Sequence, residues 1–192
     1  MNMQATLIDP DRRAVVEIAD ALFYQRGYGA VGMDAVRDAA GISLRRLYAH
    51  FPSKQRLILA VLELRHETWV SGIRARVDAA EPGRSRLLAI FDYLEHCAEA
   101  RDYRGCGFIN AGGERAAAHP EVLEVARAHK RSFQEYVAGL VDEAGADPAL
   151  GAGLALLAEG AQTSAAIAGS VQPVHDARAA AGILIEAALA AR

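Results

Sequence analysis

Basic side chains dominate residues 41–54, which read GISLRRLYAHFPSK. No acidic residue occurs between Asp38 and Glu63, so this surface is expected to carry no acidic group that would repel phosphate. Guanidinium and ammonium groups bind phosphate, and an arginine can also donate two hydrogen bonds to the edge of a guanine. These residue types, so closely spaced, favour binding to DNA, although a basic helical surface can also be no more than a solvated face. The basic members are Arg45, Arg46, His50 and Lys54.

Two short helices around a tight turn are predicted to position these side chains. Apolar residues recur at helical spacing over residues 33–40 and stop at Gly41, a residue that readily takes the left-handed conformation closing a helix. Ser43 can cap the second helix by accepting a backbone N–H, and Leu44 and Leu47 give that helix an apolar side. This pattern is typical of a helix-turn-helix.

The flanking segments predict two supporting helices. Pro52 ends the second short helix and Ser53 caps the next one, so that Lys54 lies near a helix N-terminus, where a phosphate is favoured. In front, residues 11–26 show a helical apolar stripe that ends at Gly27. That helix is expected to form the floor of the helix-turn-helix. Its stripe consists of Val15, Ile18, Ala19, Leu22 and Phe23.

A family resemblance is carried by four motifs within residues 11–62: A-x-x-x-F-x-x-x-G-Y, AAGIS, LYAHF and SK followed by Leu57. Together they resemble the N-terminal domain of the TetR family of bacterial transcriptional regulators. The resemblance implies an all-α fold, with an N-terminal three-helix helix-turn-helix DNA-binding domain joined by a long helix to a C-terminal helical ligand-binding and dimerisation domain. The implied ranges are an N-terminal tail at 1–10, the DNA-binding domain at 11–56 and the helical domain at 57–192.

The same resemblance implies which side chains meet DNA. Tyr48 and Lys54 take the positions of the family's phosphate-contacting tyrosine and lysine. His50 remains open between a phosphate contact and a surface residue. The full set of implied DNA-binding residues is Gly32, Ser43, Leu44, Arg45, Arg46, Tyr48, His50 and Lys54.

Three departures from the family pattern affect four positions. Gly32 replaces the usual threonine cap, so the hydroxyl contact is absent although glycine still caps tolerably. Arg45 and Arg46 replace a common Gly-Thr or Gly-Ser pair and add two guanidiniums, which predicts a preference for operators that contain guanine. Arg37 replaces an alanine and makes one helix surface more basic than expected.

Composition limits the class of protein. The chain has 192 residues, is 52% hydrophobic and carries a net charge of −3, but its first 60 residues hold eight basic and six acidic groups. The part of the chain with an excess of basic residues therefore contains the helix that is predicted to contact DNA, the second helix of the helix-turn-helix. The sequence shows no signal peptide or membrane-spanning run, so a cytoplasmic location without a membrane partner is expected. Two cysteines are too few for a disulfide scaffold.

The C-terminal part is also predicted to be helical, with apolar periods at residues 57–76, 84–101 and 120–144 and two final helices at 148–170 and 174–191. Small residues at intervals of four on the first of these final helices would allow another helix to approach closely. Packing within the chain remains an alternative, but the family resemblance implies a homodimer. The residues assigned to the dimer interface are Ala161, Ala165, Gly169, Ile183 and Ala187.

The family resemblance also implies a cavity for a small effector in the middle helices. Asn110 and Glu114 are the polar candidates for orienting a ligand, because a few polar groups in an apolar pocket set its specificity. Each apolar candidate can instead be ordinary core, and Glu114 can be a surface residue. The assigned pocket residues are Trp69, Ile73, Phe91, Leu94, Phe108, Asn110, Glu114, Phe133 and Tyr136.

These observations favour a homodimeric repressor that binds a palindromic double-stranded operator and is released by a small-molecule effector. An activator would have the same sequence signature. A redox switch through Cys97 or Cys106 is a second hypothesis, to be weighed against buried inert cysteines. An enzyme is the third, but no catalytic or metal-binding motif stands in a suitable context, so neither a cofactor nor a metal is expected.

Overall fold

The computed structural model describes residues 10–190, and within this range every regular element is an α-helix. The predicted tail at 1–10 lies outside the described residues except for Pro10, which begins the first helix. The helices are α1 (Pro10–Arg26), α2 (Met33–Ala40), α3 (Leu44–His50), α4 (Lys54–Asp78), α5 (Arg84–Ala98), α6 (Gly107–Arg115), α7 (Pro120–Glu143), α8 (Ala149–Ala168) and α9 (Gln172–Ala190).

Capping residues determine the short helices of the N-terminal part. Gly41 ends α2 with φ 64°, in the left-handed region that glycine adopts without a steric penalty. Ser43 caps α3 by accepting the backbone N–H of Arg46 at 3.2 Å, and Ser53 caps α4 in the same way. The sequence prediction of these caps is confirmed.

The C-terminal helices bury a second core. Residues from α4, α5, α7, α8 and α9 form one apolar cluster, in which Phe91 and Leu94 of α5 are almost fully inaccessible. The apolar period predicted for α7 faces this cluster or its N-terminal neighbour. No helix within residues 10–190 is both long enough and apolar enough to span a membrane.

The two halves share packing across the predicted domain boundary at residue 56. The boundary falls inside α4, which begins at Lys54, and the apolar cluster of the N-terminal helices continues along α4 to Leu62. The same cluster includes Phe108 and Ala111 of α6 and Val122 of α7. The N-terminal core is therefore closed by residues of the C-terminal part.

Helix α6 was not predicted, because its sequence contains three glycines, which weaken helix propensity. Its buried residues Gly107, Phe108 and Ala111 form a narrow apolar stripe. A Cβ atom at Gly107 would lie 3.1 Å from the side chain of Arg65, so the glycine allows α6 to approach α4 closely. Tertiary packing thus stabilises a helix that local propensity does not favour.

Candidate DNA interface and ligand cavity

The outer face of α3 presents the residues implied to meet DNA. Leu47 is fully buried against the N-terminal core, which directs Leu44, Arg45 and Tyr48 towards solvent. Arg45 makes no ion pair with the described part of the chain. Its guanidinium is therefore available to a base edge or a phosphate. Leu44 was predicted on the apolar side of α3, and that prediction is wrong.

Arg46 is held by an acidic group that lies 35 residues earlier in the chain. Its guanidinium donates a hydrogen bond to the carboxylate of Asp11 at the start of α1, and both side chains are about half exposed. The expectation of a reading surface without acidic groups is therefore wrong, because it considered only residues close in sequence. Asp11 brings a negative charge to the N-terminal end of α3.

The structure gives the surroundings of the other two departures from the family pattern, Gly32 and Arg37, and of His50. Gly32 lies at the N-cap of α2 without a side-chain cap, in an extended conformation that any residue can adopt. Arg37 forms ion pairs with Asp34 and Asp38, so the surface of α2 is not as basic as expected. His50 is half-buried, with its ring 6.4 Å from that of Phe51. The proposed DNA contacts of Gly32 and His50 remain predictions.

One residue, Gly29 in the turn between α1 and α2, links Lys54 to α6.

 Its carbonyl oxygen accepts a hydrogen bond from Lys54 Nζ at 2.9 Å, and its backbone N–H donates to Glu114 Oε2 at 2.7 Å. Burial, with the neighbouring Arg115, lowers the pKa of Lys54. The side chain that would contact phosphate and a carboxylate of α6 are therefore bonded to the same residue.

The C-terminal part of α1 is also hydrogen-bonded to the segment before α6. The hydroxyl of Tyr24 donates to the carbonyl oxygen of Gly105 at 2.8 Å and accepts the backbone N–H of Arg104 at 2.8 Å. On α4, Arg65 pairs with Asp20 of α1 and lies over the Tyr24 ring at 4.0 Å. These contacts join α1 to α4 and to the segment that leads into α6.

A cavity of about 340 Å³ lies behind these contacts, between α1, α4, α5, α6, α7 and α8. Two of the predicted pocket residues, Trp69 and Phe108, line it. The other apolar candidates belong to the packed core, except Tyr136, which is half-buried outside the cavity beneath Arg74. The candidates found in the core are Ile73, Phe91, Leu94 and Phe133.

Asn110 and Glu114 do not lie in this cavity. They border a separate groove of about 560 Å³ between α1, α6 and α8. Asn110 donates to the carbonyl oxygen of Arg104 at 2.9 Å, and Glu114 holds Gly29 as described above. Their assignment as ligand-orienting groups of an apolar pocket is therefore corrected: both are bonded to backbone and support the junction between the two halves.

Sequence reasoning missed several side chains that do line the cavity. Tyr93, Tyr103 and Gln162 come from three different elements, which one sequence cannot place together. His129 gave a signal, because it occupies a position in the apolar period of α7. It is 5% exposed, its Nδ1 lies 3.0 Å from Nδ1 of His66, and its ring stacks on Phe108 with centroids 3.7 Å apart.

Burial shifts the pKa of two ionisable groups that line the cavity, His129 and Asp20. It lowers the pKa of His129 to about 3, with the charges of Lys130 and His66 acting in the same direction, so the ring is neutral near pH 7. Burial also raises the pKa of Asp20, although Arg65 acts in the opposite direction. The cavity wall therefore carries no free positive charge from His129.

The assigned dimer residues divide into two groups. Ala161 and Ala165 are only 4% and 2% exposed within the core of their own chain, so their assignment to a dimer interface is wrong. Gly169 ends α8 in the left-handed conformation. Ile183 and Ala187 of α9 are exposed. The exposed apolar face of α8 lies instead at Leu156 and Ile167.

Both cysteines are free thiols. Burial raises the pKa of Cys97, which disfavours the reactive thiolate. Cys106 is buried at the N-cap of α6, with Lys130 Nζ 3.5 Å from its sulfur. A redox role for either thiol remains untested.

Comparisons with known proteins agree with this architecture. Residues 15–61 match the model of the bacterial regulatory proteins of the tetR family. A transcriptional regulator from Streptomyces avermitilis is 30% identical and has a TM-score of 0.74, with the match covering 90% of this chain and 98% of that chain. A TetR-family transcriptional regulator from Streptomyces coelicolor is 26% identical with a TM-score of 0.81, over 94% of both chains.

Among curated proteins, the transcriptional activator FasR of Mycolicibacterium smegmatis is 40% identical over 100 residues, which are 50% of this chain and 45% of FasR. The matches to this and the next curated relatives span less than half of each relative's length. The matched proteins are regulators of transcription rather than enzymes. The helix-turn-helix, the all-helical C-terminal part and these likenesses together show that the chain belongs to the TetR family of DNA-binding transcriptional regulators.

Proposed function

We propose that the protein is a homodimeric repressor that binds a palindromic operator and is released from it by a small molecule in the cavity behind Trp69. The observation that carries this proposal is the bonding of Gly29 to both Lys54 and Glu114. It connects the phosphate anchor to α6, and α6 contributes Phe108 to the cavity wall. A change in the cavity can therefore reach the DNA-binding surface through a short series of direct contacts.

The DNA-binding step is assigned to α3 and the start of α4. Arg45 and Tyr48 are exposed on α3, and Lys54 lies at the N-terminus of α4, where backbone N–H groups favour a phosphate. Arg45 and Arg46 can each make two hydrogen bonds to a guanine. We therefore expect guanines in each half-site.

The dimer is assigned to the outer faces of α8 and α9. Ile167 is 83% exposed and Ile183 is 69% exposed, and Leu156 and Leu184 extend the same apolar surface along the two helices. Large exposed apolar patches are typical of protein–protein contacts. Two DNA-binding domains related by a twofold axis require half-sites about 34–36 Å apart, which is one turn of DNA.

Release by an effector follows from the position of the cavity. A ligand there touches α1, α4 and α6. Helix α1 pairs with α3 through Asp11 and Arg46, and α4 follows α3 directly in the chain. If the ligand favours a different arrangement of these helices, operator affinity falls, and a coupling of about 1–3 kcal/mol corresponds to a loss of roughly 5- to 150-fold. Repression is the direction in which loss of DNA binding switches the gene on.

The test is a fluorescence anisotropy titration with duplex DNA from upstream of the protein's own gene, at several salt concentrations. Tight binding that depends on the palindrome, weakens linearly in log affinity against log salt and is lost when half-site guanines are replaced supports the proposal. Weak binding that does not distinguish this DNA from a scrambled duplex contradicts it. Transcription in vitro from the same promoter then separates repression from the activation for which FasR is named.

A further inference from the structure

Six of the 17 residues that line the cavity behind Trp69 have aromatic rings. Trp69 lies edge-on to Tyr93, with ring centroids 6.0 Å apart, and edge-on to His129 at 5.1 Å. Tyr24, Tyr103 and Phe108 add aromatic rings from three other segments. Aromatic rings on several sides of a cavity suit a flat aromatic ligand, because they offer both faces and edges for stacking.

The charged groups of the lining have a net negative charge. Arg65 is the one cation among the described lining residues, and it is already paired with Asp20 and packed on a tyrosine ring. Asp102 remains as an additional carboxylate at the mouth, where it accepts a hydrogen bond from Gln25 at 3.3 Å. An anionic ligand would add to this charge, whereas a cation would offset it.

The nearby lysine does not change this balance. Lys130 lies beside Cys106 but pairs with Glu159 at 3.3 Å, and neither charged side chain of this pair belongs to the cavity lining. Thr68 and Gln162 are uncharged polar residues of the lining. Gln162 is buried and donates through its amide to the carbonyl oxygen of Ala158 at 3.3 Å. The interior thus presents π-systems and uncharged polar groups.

We propose that this cavity binds a planar aromatic organic cation, held by cation–π contacts with Trp69 and the surrounding rings and by the excess carboxylate at the mouth. The ligand class follows from the combination of aromatic lining and net negative charge, since a cation over an aromatic face is attracted by the ring quadrupole. This inference rests on the proposed function, because the cavity is the site assigned there to the effector.

The position of Trp69 allows a direct measurement. It is the single tryptophan of the chain, so its fluorescence reports on the cavity alone. We would titrate the full-length protein with N-methylquinolinium, neutral quinoline and anionic quinoline-2-carboxylate at pH 8, and measure the affinities by calorimetry. Quenching of N-acetyltryptophanamide corrects for collisional quenching in solution.

We expect saturable quenching by N-methylquinolinium, with an affinity about tenfold above that of quinoline and no saturable binding of the carboxylate. Tyr103→Leu should weaken binding of the cation by about tenfold, and Asp102→Asn should reduce the preference for the cation over quinoline several-fold. Asp142→Asn, an exposed change outside the lining, is the matched control and should alter neither value.

Equal or tighter binding of the carboxylate would overturn the assignment of a cation, as would the absence of saturable binding by all three probes. Thermal melting of each variant excludes loss of the fold as the cause. Operator release is measured separately by anisotropy. If N-methylquinolinium binds at Trp69 without changing operator affinity, the ligand class stands and the proposed effector role fails.

Discussion

Individual charges on α1 and α3 control how strongly the reading surface attracts DNA. Asp11 pairs with Arg46 and places a carboxylate beside the exposed face of α3. This pairing partner is remote in sequence, which explains why local charge counting missed it. The consequence for binding can be measured with a single substitution.

Asp11→Asn should raise the affinity for nonspecific duplex DNA several-fold at low salt, because it removes a repulsive charge and frees Arg46 for phosphate. Anisotropy titrations against a scrambled duplex measure this change. Asp142→Asn removes the same charge from α7 and serves as the control. An unchanged or lower affinity of the Asp11 variant would contradict the predicted role.

His129 gives stability a defined dependence on pH. Its pKa is about 3 in the folded state, against 6.5 in the unfolded state, so the unfolded state binds the proton first as the pH falls. The stabilisation is complete above pH 6.5 and is lost progressively towards pH 3. Between pH 7.5 and 5.5 this group alone should lower the free energy of unfolding by about 1.4 kcal/mol.

Urea unfolding of the wild type and of His129→Phe at both pH values tests this prediction. The substitution keeps an aromatic ring against Phe108 but removes the titratable group. We expect the variant to lose about 1.4 kcal/mol less than the wild type between the two pH values. The same pH dependence in both proteins would show that His129 does not titrate in this way.

At the scale of the elements, the sequence predicted eight of the described helices from apolar periods, glycine stops and serine caps. It did not predict α6, because three glycines lower the helix propensity of this segment. Contacts with α4 and α7 stabilise the helix instead. It also assigned to a dimer interface a face of α8 that packs inside the chain. Ala161 and Ala165 share a face with Leu154 and Ala158, and only packing reveals that this face is turned inward.

The packing of α4 on α5 depends on a glycine. A Cβ atom at Gly72 would lie 2.7 Å from the ring of Tyr93, which is itself buried. Gly72→Ala should therefore lower the free energy of unfolding by about 1–3 kcal/mol through overpacking. Gly139→Ala has open space around the new methyl group and should instead raise it by roughly 0.5–1 kcal/mol through helix propensity. Chemical denaturation distinguishes these opposite effects.

Helix α6 should transmit its position through Glu114. Glu114→Ala removes the acceptor for the Gly29 N–H and should weaken operator binding several-fold, because the turn that also holds Lys54 loses a charge-assisted hydrogen bond. Glu114→Gln retains an acceptor oxygen and should preserve most of the affinity. Equal affinities for both variants and the wild type, measured by anisotropy, would exclude this route.

At the scale of the whole molecule, the exposed faces of α8 and α9 should decide the oligomeric state. Ile183→Asp places a charge in the assigned interface and should convert the proposed dimer into a monomer, with loss of palindrome-dependent binding. Light scattering after size-exclusion chromatography measures the mass. Ile109→Asp, an exposed isoleucine on α6, should leave the mass unchanged. A dimeric Ile183 variant would contradict the assigned interface.

Helix α4 runs through both halves of the molecule without a break over its 25 residues. At 1.5 Å per residue its length is about 37 Å, so a tilt of about five degrees at one end moves the other by roughly 3 Å. Successive base pairs along one strand are about 3.4 Å apart. A rotation too small to disturb the core is therefore enough to move the reading helix by one base-pair step along the groove.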